Sequence, residues 1–393
     1  MKIYLVGGAV RDKLLGIPVK DRDYLVVGST PEEMVKLGYK PIGKDFPVFL
    51  HPDTNEEYAL ARTEKKVGKG YHGFEFFASP AVTLEEDLMR RDITINAIAE
   101  DEDGNIYDPY NGIKDIQNKV IRHVSDAFTE DPLRVFRVAR FYARFEDFDI
   151  HEDTEKLMKK IVSSGEIESL SIERILTEIL KGLNERHADK MFLSFVNSGV
   201  LKLIFPDSQK NYNQIFPLLI GLRNTSNSIS AESKLLMILA LPFFYDGEKA
   251  NSINYLEYFK LSNHAKTIFK GIRYESRNLE NFVLLSLEER LDSLYRLDFF
   301  RRPNVTLDIL EMIKFIIPSI FKPIPSSQSL MSDEWQANKK IVHNKIELVK
   351  NNIILFKQEY SKLKTNIDSL KTPNEIKEVI YKERLSVLKK VSS

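Results

Sequence analysis

Eleven of the seventeen glycines in this 393-residue chain fall before residue 113, leaving six for the remaining 281 positions. Short strand-forming runs broken by many turns cannot build a helical bundle, whereas a glycine-poor stretch with apolar residues every three or four positions builds little else. In the glycine-rich part, residues 3–6, 24–27, 48–50, 57–61 and 93–99 have strand propensity. Thr83-Leu84-Glu85-Glu86 fits a capping box opening a short helix toward Arg90, and Asp108-Pro109-Tyr110-Asn111-Gly112 is a turn that closes the region. From Asp131 onward the spacing of Leu133, Phe136 and Phe141, and later Ile175, Ile179 and Leu183, is helical. The fold class expected is α+β, an N-terminal mixed-sheet head followed by an all-α C-terminal region. Its expected divisions are 1–125, 126–205, 206–330 and 331–393, with Pro303, Pro318, Pro323 and Pro325 before Ser326-Ser327 marking the last junction.

Fifty-seven basic and 57 acidic residues cancel, so any polyanion must be met by a local basic surface. The segment from Glu334 to Ser393 is one candidate, with 13 Lys/Arg against 7 Asp/Glu. Without cysteine there is no disulfide partner, thiolate zinc site or cysteine nucleophile, so a metal would need oxygen or imidazole ligands. The apolar run at 235–245 has eleven residues, against the ~20 needed to cross a bilayer. A cytoplasmic protein with no membrane partner is expected.

Gly7-Gly8-Ala9-Val10-Arg11-Asp12 follows the first strand. Paired glycines there serve either a tight turn or a close approach of backbone to phosphate, with Arg11 adding a cation. Asp21-Arg22-Asp23 opens the next strand, where residues two apart share a face; convergent carboxylates suit Mg²⁺ completed by substrate phosphates. Glu57 opens a later strand and is either a third carboxylate for that site or a charged strand end. Asp131-Pro132 reads as a helix start with Asp as cap, yet Arg134, Arg137, Arg140 and Arg144 then recur at three, three and four, stacking guanidinium groups along one face.

The combination Gly7-Gly8-Ala9-Val10-Arg11-Asp12 with Asp21-Arg22-Asp23 resembles the signature of the nucleotidyltransferase superfamily that includes DNA polymerase β. Four later segments, Arg90-Arg91-Asp92-Ile93-Thr94-Ile95-Asn96-Ala97, Asp108-Pro109-Tyr110-Asn111-Gly112, Glu130-Asp131-Pro132-Leu133-Arg134-Val135-Phe136-Arg137 and Glu173-Arg174-Ile175-Leu176-Thr177-Glu178, resemble in order the remaining motifs of class II tRNA nucleotidyltransferases, the family of bacterial CCA-adding enzymes. The resemblance is strong to about residue 205 and weaker beyond. It implies that Asp21 and Asp23 hold catalytic Mg²⁺, that Gly8, Arg11, Arg91 and Asp92 contact ATP or CTP, that Asp131 and Arg134 read the base with Arg137 and Arg140 nearby, and that Glu173, Arg174 and Glu178 brace the reading helix. Residues 1–125 become a nucleotidyltransferase head, 126–205 a base-recognising neck, 206–330 a helical body and 331–393 a basic tail that binds tRNA.

The activity implied is addition or repair of the CCA at the tRNA 3′ end from CTP and ATP without a template, releasing pyrophosphate. The alternative is a poly(A) polymerase or an enzyme adding only part of CCA. Hydrogen-bond chemistry supports a two-residue reader. Cytosine and adenine each offer an amine donor beside a ring-nitrogen acceptor, matched by a carboxylate that accepts from the amine and a guanidinium that donates to the ring nitrogen, while uracil and guanine offer the reverse. Residues 63–80, with Lys65, Lys66, Lys69 and three glycines, read as a mobile basic loop over the site. None of the seven histidines directly precedes an aspartate, so the His-Asp phosphohydrolase found in many relatives is not expected.

Overall fold

The computed structural model describes residues 1–42, 48–66, 74–206, 212–223, 229–246, 254–320, 333–362 and 372–392. It divides into two units, Met1–Leu203 and Ile204–Ser393.

The first unit is built on β1 (Lys2–Val6), α1 (Gly8–Leu14), β2 (Asp23–Val27), α2 (Pro31–Lys36), β3 (Lys40–Ile42), β4 (Val48–Leu50) and β5 (Glu57–Leu60). There follow β6 (Arg62–Lys66), β7 (Phe74–Ala78), α3 (Leu84–Met89), β8 (Ala99–Asp101), β9 (Ile106–Tyr107), α4 (Gly112–Gln117) and β10 (Val120–Ile121). Seven of these strands form one mixed sheet in the order β3-β4-β5-β2-β1-β8-β9, antiparallel except for the β2–β5 pair. Alternation along β2 explains its two buried faces. Leu25 joins Tyr4, Val6, Leu84 and Leu88 on one side, while Val26 joins Met34, Phe49, Tyr58 and Leu60 on the other.

The helical remainder of this unit comprises α5 (Arg134–Arg144), β11 (Asp149–Ile150, parallel to β10), α6 (Glu152–Ser163), α7 (Ile172–Asn184), α8 (Ala188–Ser198) and α9 (Val200–Ile204). On α5, Val135, Phe136, Val138 and Ala139 are fully buried, and the helix packs on α7 and α8.

The mixed-sheet head and helical remainder are as expected, and α3 has its capping box: Glu86 N–H donates to Thr83 Oγ1 at 3.2 Å and Thr83 N–H to Glu86 Oε2 at 2.8 Å. Two expectations need correction. Residues 93–99 are not a strand. Thr94–Asn96 is a 3₁₀ turn and the strand begins only at Ala99, because Asp92 Oδ1 takes N–H groups from Ile93 (2.9 Å) and Asn96 Nδ2 (3.0 Å) while Thr94 donates to Asp115 (2.7 Å). Side-chain bonds of this kind outcompete a ladder. The span 63–80 is not simply a loop, since β6 and β7 pair antiparallel from Arg62↔Ala78 to Lys66↔Phe74; Lys69 and the three glycines lie outside the described residues.

The second unit is helical throughout its described residues: α10 (Tyr212–Leu222), α11 (Ala231–Asp246), α12 (Tyr255–Tyr258), α13 (Asn263–Glu280), α14 (Leu287–Arg296), α15 (Pro303–Ile320), α16 (Asp333–Ser361) and α17 (Pro373–Ser392). Two of the prolines taken as a junction belong to α15. Pro303 starts it, where a missing N–H costs nothing, and Pro318 lies in its last turn. α16 packs on α15 and buries Ile346, Val349, Ile353 and Phe356. On α17, Arg384 lies 3.5 Å over the Phe300 ring and donates to Tyr360 Oη at 2.8 Å. No described helix is long and apolar enough to cross a membrane.

Candidate active site

β1 ends into Gly7, whose φ of +69° lies in the left-handed region, and a Cβ there would come within 2.8 Å of Arg91 Nη1. The backbone conformation requires glycine, while the Arg91 side chain could shift to admit a Cβ. One turn along α1, Arg11 is buried, with Nε and Nη2 donating to Asp12 Oδ1 at 2.9 and 2.7 Å and Nη1 donating to Asn96 Oδ1. Its guanidinium lies 5.4 and 5.2 Å from the rings of Phe141 and Phe145. Burial lowers its pKa, opposed chiefly by Asp12.

Asp23 is the first residue of β2 and Asp21 precedes it in the connecting loop. Among the described residues neither carboxylate has a hydrogen-bond or ion-pair partner. The Asp23 carboxyl is pushed above its ordinary value by desolvation and by Asp21, with Arg91 pulling the other way. Glu57 is its register neighbour across the parallel β2–β5 ladder, yet it is exposed and does not line the cavity described below. The described residues contain no group of three His, Cys, Asp or Glu set to hold a metal. The donor set that fits a hard cation is the Asp21/Asp23 pair, whose oxygens suit an ion completed by phosphate oxygens.

α5 does not begin at Asp131. Asp131 is extended (φ −113°, ψ 103°), as a residue before proline tends to be, a single turn follows, and the helix starts at Arg134. The Asp131 carboxylate takes the Leu133 N–H at 3.1 Å on Oδ1 and Arg174 at 3.0 Å on Oδ2. Arg134, nearly buried, donates to the carbonyls of Ala127 (2.7 Å) and Arg90 (2.5 Å). Arg137 pairs with Asp92 at 2.6 Å, Arg140 with Glu178 at 2.6 Å and Arg144 with Asp12 at 2.7 Å. Burial alone would raise the Asp92 carboxyl, but Arg137 and Asn96 hold it well below the usual carboxylate range. Glu185, half-buried, is raised by desolvation although Arg144, Arg140, Lys20 and Arg11 all pull it down.

These elements line a cavity of about 710 Å³, with eleven Arg or Lys against five Asp among its 22 described lining residues. Ten of the eleven sequence-derived site residues line it: Gly8, Arg11, Asp21, Asp23, Arg91, Asp92, Asp131, Arg134, Arg137 and Arg140. Glu57 is the exception. Lining residues that sequence reasoning passed over include Lys20, Asn96 and Lys181. For Lys181 a signal existed. Arg174, Glu178 and Lys181 recur at four and three, one face of α7, and the first two meet Asp131 and Arg140.

Residues 3–122 match the poly A polymerase head domain and residues 147–211 the probable RNA and SrmB-binding site of polymerase A. The multifunctional CCA protein of Methylobacillus flagellatus is 61% identical over 207 residues, 53% of this chain and 50% of that protein. The CCA-adding enzyme of Coxiella burnetii is 59% identical over 207 residues, 53% of this chain and 55% of that one. The chain thus spans about half the length of the curated relatives it matches. Among solved structures, a CCA-adding enzyme with ATP aligns at a TM-score of 0.68 and 22% identity over 98% of this chain and 86% of that one. The Thermotoga maritima CCA-adding enzyme complexed with tRNA-CCA aligns at 0.64 and 22% identity over 99% and 90%. At that identity the likeness is one of fold, a mixed-sheet head followed by helices.

Proposed function

We propose that this chain, whose N-terminal half belongs with the bacterial CCA-adding enzymes, extends or repairs the 3′ end of tRNA with C, C and A from CTP and ATP. The observation that carries the reading is convergence: the Gly7-Gly8 turn, the Asp21/Asp23 pair and the α5 arginines line one cavity. Asp21 and Asp23 would hold Mg²⁺, which when bound supplies the positive charge that activates a 3′-hydroxyl and stabilises departing pyrophosphate. Gly7 and Gly8 leave the backbone bare beside the triphosphate. Arg11 and Arg91 face it, and Arg91 Nε, buried with no hydrogen-bond acceptor among the described residues, is suited to take a phosphate oxygen.

Base selection falls to Asp131 and Arg134. A carboxylate has about four acceptor directions, so bonds to Leu133 and Arg174 leave room for an exocyclic amine. Two backbone carbonyls fix the Arg134 guanidinium in orientation, which pre-organises its remaining donors for a ring nitrogen. The ion pairs of Arg137, Arg140 and Arg174 support the reader by tying α5 to Asp92 and to α7.

The test is incubation with tRNA transcripts lacking the terminal CCA, each nucleotide supplied singly and then together, followed by sequencing of the products. Addition of C, C and A in order is expected. A homopolymeric A tail would establish the poly(A) alternative, and an unextended end would sink the reading.

A further inference from the structure

Most of the cavity's cations are engaged by the protein, Arg90 and Arg91 by Asp87 among them. The arginines of α5 are held by Asp92, Glu178, Asp12 and backbone carbonyls, Arg11 by Asp12 and Asn96, and Arg174 by Asp131. Lys20 and Lys181 line the same cavity, are solvent-exposed, and among the described residues make no ion pair or hydrogen bond. Lys20 immediately precedes Asp21 in the chain, and its charge acts on the half-buried Glu185. Lys181 is the third member of the α7 stripe whose first two members are already engaged.

We propose that Lys20 and Lys181 hold backbone phosphates of the RNA strand being extended, next to its terminal hydroxyl, rather than the triphosphate of the incoming nucleotide. The inference rests on the function proposed above. Successive additions at one site require the strand end to advance by a nucleotide each time, while every incoming nucleotide returns to the same place. An ammonium on a flexible four-carbon stem can follow a phosphate that moves; a guanidinium pinned by two protein acceptors cannot, and is suited to the partner that does not move. Lysines outside any ion pair are also what an entering polyanion needs, since its phosphates release their counterions to solution when protein cations neutralise them.

The experiment compares Lys20→Ala, Lys181→Ala and the double variant with the unmodified chain, using a tRNA transcript lacking CCA and measuring KM for tRNA and for CTP at several salt concentrations. The double variant should raise the tRNA KM about tenfold and flatten its log–log salt dependence by roughly 1.4, about 0.7 for each single-strand phosphate lost. The CTP KM should stay within about twofold, and arginine at both positions should restore the tRNA KM because the charge returns. A raised CTP KM with an unchanged tRNA KM would assign the lysines to the triphosphate and overturn the inference, as would no change in either. If the double variant melts early, the single variants carry the same comparison at about threefold each. Failure of the unmodified chain to extend tRNA would instead sink the function itself.

Discussion

At the α5 end of the cavity Arg134, Arg137, Arg140 and Arg144 each have protein partners, whereas at the β2 end Asp21 and Asp23 have no hydrogen-bond or ion-pair partner among the described residues, and Asp23 feels the charges of Asp21 and Arg91. Both ends are rich in charge, but only one is satisfied within the fold. Charge satisfied internally fixes shape, and charge left unsatisfied is available to something that arrives. Substitutions at the first end should therefore register mainly in stability, and at the second mainly in turnover.

The largest effect expected is at the unsatisfied end. Asp21→Asn or Asp23→Asn should lower nucleotide transfer by about 10³-fold or more, since several kcal/mol of charge stabilisation goes with the ion. The melting temperature should not fall, because neither carboxylate contributes a bond and Asp23 is already raised by desolvation. A variant that loses transfer only in proportion to its loss of folded protein would erase the difference between the two ends.

Asp92 probes the satisfied end. Its side chain is 6% exposed and holds Arg137, Asn96 and the Ile93 amide, so Asp92→Ala should cost about 3 kcal/mol in urea unfolding, the lower end for a broken buried pair because Arg137 still reaches water. The pH dependence has a definite sign. A carboxyl depressed in the folded state contributes stability that is complete above its unfolded pKa of about 3.9 and is lost as pH falls toward the folded value. The gap between parent and variant should thus be flat from pH 5 to 8, as orders of magnitude go, and narrow below about 4. A gap that grew toward acid pH would mean that Asp92 is not held as an anion.

Much of this was legible in sequence because local rules and the fold agree. The capping box at Thr83, the Gly7-Gly8 turn and the arginine stripe are patterns over at most eleven residues, and each is found where expected. What could not be read is where partners come from distant positions. Nothing local says that Asp12 takes Arg144 from 132 residues away, or that Asp92 takes Arg137 from 45 away. The strand expected at 93–99 failed for the same reason, since Asp115 and His123 capture Thr94 and Ile93. In the second unit, proline counted as punctuation misled because Pro303 can begin a helix at no cost and Pro318 is buried within the same helix.

Asp131 belongs to both ends of the comparison and gives the finest test of it. Half of its carboxylate is spent on the Leu133 amide and on Arg174, as a fixed group would be, and the rest faces the cavity, as a reading group would. Asp131→Ala removes the acceptor for an exocyclic amine while leaving Arg134 able to donate to either a ring nitrogen or a uracil carbonyl. Discrimination between CTP and UTP should therefore fall by about 1–3 kcal/mol, roughly tenfold to a hundredfold. Losing the amide bond should cost about 1 kcal/mol of stability at the same time. Loss of the Arg174 ion pair would act on every nucleotide alike and so cancels in the ratio. Measuring the CTP:UTP incorporation ratio beside a thermal melt separates the two roles. A lowered melting temperature with an unchanged ratio would place Asp131 wholly among the groups that hold shape. A changed ratio with both effects present would show one carboxylate dividing its lone pairs between the fold and the base.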